Sequence, residues 1–281
     1  MTDMLRKSVV VRQPGPCVLR LVAIGIAFQW SAHAVEILAH RGASYEAPEN
    51  TLPAVRLAWE LGADAVEVDI HQSLDGRIVA IHDRDTARVT GRQALVAELP
   101  FDKLRALDAG AWKGSRWLGT KIPALEEVLE TVPEGKRLVV EIKCPASVVP
   151  ELERVLDASG KRTQTMIIAF DYDTIVEASR RMPDVPCYWL YGFSDREARA
   201  RSIGAPEDLI ELVRRANLSG LDVRHDGAWV AEIARSLRSI GLKLYVYTVN
   251  SAKRARHLRS IGVDGITTDR PGFLRRALES E

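Results

Sequence analysis

From residue 35 onward, short runs of Val, Ile and Leu alternate with longer stretches whose apolar positions recur every three or four residues, a rhythm that predicts repeated β/α units. The strand runs are Glu36 to His40, Ala65 to Ile70, Leu138 to Lys143, Met166 to Phe170, Pro186 to Tyr191, Gly220 to Val223, Lys243 to Thr248 and Gly265 to Thr268. Helical periodicity falls between them over Thr51 to Leu61, Leu125 to Val132, Val148 to Ser159, Tyr172 to Arg181, Pro206 to Ala216, Ala228 to Ile240 and Ala252 to Ser260, with a last helix from Gly272. Eight strands and about as many helices predict an α/β chain closed into a (β/α)8 barrel of the TIM type.

A further strand-like run, Ile78 to His82, follows Ala65 to Ile70 too closely for a crossover helix, since a parallel return needs a dozen or so residues. Asp75-Gly76 between them reads as a two-residue hairpin turn, so the run is expected to be an antiparallel extension outside the barrel. With that pair at the centre, opposed residues have numbers summing to 151, which sets His82 across from Asp69. From Arg84 to Pro123 the period fails. This segment, with Gly91, Gly110, Gly114, Gly119, Phe101, Trp112 and Trp117, is expected to be an insertion after the second strand that lies over one barrel mouth.

The N-terminal 34 residues follow another rule. Leu19 to Trp30 is apolar apart from Arg20 and Gln29, is shorter than a membrane span, and is preceded by Arg6, Lys7 and Arg12. Ala32 and Ala34 fit a small-x-small cleavage site, so residues 1–34 read as a signal peptide and Val35 as the first mature residue. That implies export to the periplasm or medium, with no stable span in the mature chain; the alternatives are a buried N-terminal helix and an uncleaved N-terminal anchor. The remainder, 35–281, is one catalytic-size domain.

Composition adds little to this picture. With 39 Lys+Arg against 38 Asp+Glu in 281 residues, the formal charge is +1, which argues against nucleic acid as a partner. Cys144 and Cys187 show no zinc spacing and no disulfide framework. Nothing in the pattern sets an oligomeric state.

Polar residues concentrate at predicted strand ends, where barrel enzymes carry their chemistry. His40-Arg41-Gly42 ends the first strand, and Pro48-Glu49-Asn50-Thr51 follows, with Asn50 or Thr51 suited to cap a helix and Glu49 suited to orient Arg41. Glu67 and Asp69 share one face of a strand, as do Glu141 and Lys143. Carboxylates facing a barrel interior repel without a cation, and three of them without Cys or a His set describe one hard divalent ion, Mg²⁺ or Ca²⁺. With His82 brought back by the hairpin, two imidazoles, three carboxylates, Arg41 and Lys143 converge. Such a set suits attack on a phosphodiester: the cations neutralise nonbridging oxygens, one imidazole takes a proton and the other returns one. Phe170 and Tyr247, at strand ends, are candidates with Glu49 for the substrate pocket.

In these residues the chain resembles the glycerophosphodiester phosphodiesterases. The resemblance runs from His40-Arg41-Gly42 and Pro48-Glu49-Asn50-Thr51 through Glu67-x-Asp69, Asp75-Gly76, His82-Asp83 and Glu141-x-Lys143 to Gly262-Val263-Asp264-Gly265 and Thr268-Asp269-Arg270-Pro271. It implies a TIM barrel with an insertion after its second strand, a divalent ion on Glu67, Asp69 and Glu141, acid/base roles for His40 and His82, and phosphate contacts from Arg41 and Lys143. It also implies a glycerophosphodiester substrate, cleaved to glycerol 3-phosphate and an alcohol such as choline or ethanolamine. Two departures bear on substrate fit: Tyr247 stands where the family usually has Trp, and His71-Gln72-Ser73 is looser than the usual segment. Two alternatives remain open on the same fold. One is a lysophospholipase D-like enzyme with an apolar mouth of Leu95, Phe101, Trp112 and Trp117; the other is a catalytically silent binder of phosphate ligands.

Overall fold

The structure, a computed structural model, describes residues 35–280. The expected signal segment lies outside the described residues. Among the described residues there are nine strands: β1 (Glu36–Ala39), β2 (Ala65–Gln72), β3 (Ile78–Ala80), β4 (Arg137–Ile142), β5 (Thr165–Ala169), β6 (Cys187–Tyr191), β7 (Gly220–Arg224), β8 (Lys243–Tyr247) and β9 (Gly265–Thr268). All but β3 pair in parallel around a circle that β1 closes by pairing with both β9 and β2. This is the expected eight-stranded barrel.

The helices are α1 (Leu52–Glu60), α2 (Ala87–Thr90), α3 (Phe101–Ala106), α4 (Leu125–Glu130), α5 (Val149–Ser159), α6 (Tyr172–Arg181), α7 (Asp195–Ala200), α8 (Pro206–Arg215), α9 (Val230–Ser239), α10 (Ala252–Ile261) and α11 (Pro271–Glu279). The amphipathic helices lay one apolar stripe on the outer face of the sheet, where Trp189 and Tyr191 are fully buried with Val66, Val68, Val140 and Ile167. Alternate residues of the same strands point inward. Leu38, Ala65, Val139, Met166, Ile168, Tyr188, Leu190 and Tyr245 fill the barrel's centre, as period-two alternation requires. Helix α7 is additional to the expected helices, because the short polar stretch after β6 shows no apolar period.

The hairpin differs from expectation in a way that matters for the site. Pairing runs Ile70↔Ala80, His71↔Val79 and Gln72↔Ile78, so opposed numbers sum to 150 and not 151. The turn is a three-residue loop, Leu74-Asp75-Gly76, with Gly76 at φ 83° and Ser73 N–H donating to Arg77 O at 2.9 Å. Local side-chain bonding selects it: Ser73 Oγ accepts the Arg77 amide at 2.9 Å and lies 2.6 Å from Asp75 Oδ1. Asp69 therefore sits opposite Ile81, whose amide donates to its carbonyl at 3.0 Å. His82 lies past the strand's end. It reaches the barrel mouth because the chain bends there, not through ladder register.

Residues 84–123 contain α2, α3 and several single 3-10 turns rather than one irregular loop. They have a core of their own, in which Val89, Val96, Leu104, Leu107, Ala109 and Ile122 pack on Val79 and Ile81 of the hairpin. Among the described residues, no helix is long and apolar enough to cross a membrane.

Candidate active site

The C-terminal ends of β1, β2, β4 and β9 bring the chemistry together. Register sets Asp69 beside Glu141 on adjacent strands, and Ala39 beside Thr268, which carries His40 next to Asp269. Glu67, Asp69 and Glu141 are all buried, and each offers an oxygen within 4.8 Å of the others. At that spacing each like-charged pair repels by roughly 3–4 kcal/mol at an effective dielectric of ~20.

Two cations answer them. Arg41 Nε lies 3.1 Å from Asp69 Oδ2, and Lys143 Nζ lies 3.3 Å from Asp69 Oδ1 and 2.5 Å from Glu141 Oε1. Both keep their charge: burial opposes it, but Asp69, Glu67 and Glu49 around Arg41, and Glu141 and Asp69 around Lys143, raise each pKa. Three carboxylates still outnumber two cations. Burial first, then the charge of Asp69, pushes Glu141 up to about 8 and Glu67 well above the usual range, while Arg41 and Lys143 outweigh burial at Asp69 and hold it low. Glu67 Oε1 is buried with no hydrogen-bond partner. An oxygen-only donor set with surplus negative charge and an unpartnered buried oxygen fits a hard divalent cation.

Backbone strain positions this cluster. Arg41 and Asn50, both at φ 56°, occupy the left-handed region that few non-glycine residues adopt. That bend turns the Arg41 amide onto Glu67 Oε2 at 2.8 Å while its guanidinium reaches Asp69 and Glu49 Oε1, the latter at 2.9 Å. Asn50, for which a helix cap is one expectation, instead grips Asp69: its Nδ2 donates to Oδ2 at 2.8 Å and its Oδ1 accepts the Asp69 amide at 3.0 Å. Thr51 is the cap of α1, its hydroxyl accepting from Ala54 N–H.

Each histidine has an aspartate behind it. His40 Nδ1 lies 2.6 Å from Asp269 Oδ1, and His82 Nδ1 lies 2.7 Å from Asp83 Oδ1, so Nε2 of each ring stays outside these two bonds. At Asp269 burial opposes ionisation, but His40, Asn250 and Ser44 hold the carboxyl down to about 2. Burial, joined by Arg41 and Lys143, lowers the pKa of His82 despite Asp69 and Asp83.

On the other side of the mouth Phe170 and Tyr247 meet edge to face, with ring centroids 5.8 Å apart, and Lys143 Nζ lies 5.4 Å over the Phe170 ring. Glu49 faces elsewhere, its carboxylate turned to Arg41 and to Arg88 of the insertion. Three of the four residues expected to form an apolar mouth are split. Phe101 lies by the hairpin tip, its amide on Asp75 and its ring under Arg77, whereas Lys113 and Arg116, beside Trp112 and Trp117, bond the carbonyls of Ser44 and Glu46.

The sequence model of the glycerophosphoryl diester phosphodiesterase family matches residues 40–273, which include every one of these groups. The chain belongs to that family. A glycerophosphodiester phosphodiesterase of Caldanaerobacter subterraneus subsp. tengcongensis is 30% identical over 243 residues, 85% of this chain and 95% of that one. Another, from Bacillus subtilis (strain 168), is 30% identical over 257 residues, 85% of each chain. Among solved structures, a phosphodiesterase of Oleispira antarctica in complex with the product sn-glycerol-3-phosphate superposes with a TM-score of 0.77, at 27% identity over 87% of this chain and 96% of that one. The glycerophosphodiester phosphodiesterase of Thermotoga maritima superposes with a TM-score of 0.70, at 29% identity over 87% and 98%.

Within this family member, sequence reasoning assigned no site part to Asp269, Asn250, Arg88 or Asp222. Asp269 was within reach, because barrel closure puts the last strand's end beside the first. Asn250 Nδ2 donates to Asp269 Oδ2 at 2.6 Å, a contact between segments that no local pattern links. Asp222 is an acid in the middle of an apolar strand. It is buried beside the site, and burial, then the charge of Glu141, pushes its pKa well above the usual range.

Proposed function

We propose that this chain hydrolyses glycerophosphodiesters to sn-glycerol 3-phosphate and a free alcohol, using two histidines beside a divalent cation. The observation that carries the reading is the pair of Asp-backed imidazoles, 2.6 Å and 2.7 Å from their carboxylates, set around a buried acidic cluster with Arg41 and Lys143. Glu67, Asp69 and Glu141 would hold one Mg²⁺ or Ca²⁺, and when bound the ion polarises a nonbridging phosphate oxygen and balances its charge.

Arg41 and Lys143 bind the nonbridging oxygens. His40 Nε2 takes the proton of a glycerol hydroxyl as that oxygen bonds to phosphorus. His82 Nε2 gives a proton to the departing alcohol oxygen as its bond to phosphorus breaks. Water then opens the resulting cyclic phosphate with the two imidazoles in exchanged roles, which restores both protonation states. Phe170 and Tyr247 border the space for the alcohol or glycerol. The dispersed positions of Phe101 and Trp112 favour a compact diester over a lysolipid.

The test gives purified chain several glycerophosphodiesters and lysophosphatidylcholine, in EDTA and then with Mg²⁺ or Ca²⁺, and measures glycerol 3-phosphate released. Metal-restored release from the diesters is expected. No release under any condition would favour a phosphate-ligand binder. Export is part of the same proposal: the mature chain should start at Val35, which the intact mass of protein recovered outside the cytoplasm measures.

A further inference from the structure

The insertion contributes one side chain that touches both halves of the site. Arg88 lies on α2, next to Val89, which is buried in the insertion's own core. Its Nε donates to Asp83 Oδ2 at 2.6 Å, while Nη1 and Nη2 donate to Glu49 Oε2 and Oε1, both at 2.8 Å. Beyond Asp83 stands His82, 2.7 Å from its other oxygen; beyond Glu49 stands Arg41, 2.9 Å away. Arg41 in turn meets Asp69 at 3.1 Å. One guanidinium thus uses both of its hydrogen-bonding edges to join an acid/base candidate to a phosphate-binding candidate.

We propose that Arg88 is a positioning residue that fixes His82 and Arg41 relative to each other, so that the insertion must be docked for the site to be in working geometry. The inference rests on the roles proposed above for those two residues. Its side chain is 43% exposed, where a simple ion pair contributes little to stability. The clamp on Glu49 is bidentate and the Nε bond is directional, so orientation is what it supplies. Lysine, a point charge, cannot reproduce two edges at once.

The experiment uses the full mature chain with glycerophosphocholine and compares Arg88→Ala, Arg88→Lys and a control in the same insertion, Arg84→Ala. Arg88→Ala should lower kcat and raise KM, with kcat/KM down on the order of 10–100-fold, as for other orienting partners. Arg88→Lys should recover only part, and Arg84→Ala should match wild type. The two arms separate by cycles: Asp83→Asn should abolish the further effect of Arg88→Ala on kcat, and Glu49→Gln its effect on KM. Wild-type kinetics in Arg88→Ala, or losses that multiply in both double variants, would overturn the proposal. A second readout needs no turnover. In ¹⁵N-histidine NMR, with His82 assigned through His82→Gln, its ring resonances should move in Arg88→Ala and not in Arg84→Ala. An unmoved His82 overturns the positioning claim; a moved one in a chain that cleaves no diester supports it and rejects the proposed function instead.

Discussion

At Glu67, Asp69 and Glu141, charge balance decides behaviour. With the pKa of Glu141 pushed up to about 8 and that of Glu67 well above the usual range, the folded metal-free chain retains protons that the unfolded chain has released. Stability then falls wherever the native state binds more protons than the unfolded one. It is fully present below the ordinary carboxylate value of 4.5 and is lost as pH rises through about 8. Thermal scans in EDTA should show Tm falling over this window, and a divalent cation should restore it at the alkaline end; a flat profile in EDTA would contradict the charge imbalance. Glu67→Gln removes one of the three charges, so it should flatten the metal-free profile while abolishing the shift caused by the cation. The histidines separate by leaving group. With a p-nitrophenyl diester of glycerol the departing phenolate needs no proton, so His82→Ala should keep most of the first-turnover p-nitrophenol release but lose glycerol 3-phosphate formation, while His40→Ala should lose both. The opposite pattern would exchange the assigned roles. Most of these side chains were legible from strand ends and period-two faces. The sequence leaves Asn50 and Thr51 as alternative caps because the Asn50 contact with Asp69 joins a loop to a strand 19 residues on, a distance no local propensity reports.

For strands and turns, sequence period located all eight barrel strands to within one or two residues, because both faces are apolar and bounded by turn residues. The hairpin shows where that legibility ends. Asp75-Gly76 has the composition of a two-residue turn, yet side-chain bonding by Ser73 and Asp75 adds Leu74 to the loop and shifts the register by one. His82 still reaches the mouth because it follows the strand, where alternation no longer applies. Glycine tests the two bends that matter. Gly76 is at φ 83° with open space around a would-be Cβ, so Gly76→Ala should cost about 1–2 kcal/mol in urea unfolding, the left-handed penalty alone, with kcat unchanged. Gly42, at φ 80°, would put a Cβ 2.6 Å from the Ala54 carbonyl carbon, and it adjoins Arg41. Gly42→Ala should therefore cost more stability and also raise KM; equal penalties, or an unchanged KM, would show that this loop does not set Arg41.

Among the described residues, two cores meet at one hairpin. Ile78 and Ala80 of β3 pack into the barrel-and-helix core, while Val79 and Ile81 face the core of the insertion. The insertion's core is small, so it is expected to open without the barrel, as weakly buried units do in local unfolding. Leu104 is fully buried there, and Leu104→Ala should cost about 2–5 kcal/mol, charged mainly against the docked insertion. Leu129, fully buried against the barrel, should cost a similar amount globally when truncated. Hydrogen exchange distinguishes them. Leu104→Ala should speed exchange across residues 84–123 while β4 to β9 stay protected, whereas Leu129→Ala should speed exchange throughout. Because Arg88 rides on the insertion, Leu104→Ala should also lower kcat/KM at temperatures where the barrel is still folded. Uniform acceleration in Leu104→Ala would mean that the two cores unfold as one, and that docking of the insertion cannot vary independently of the barrel.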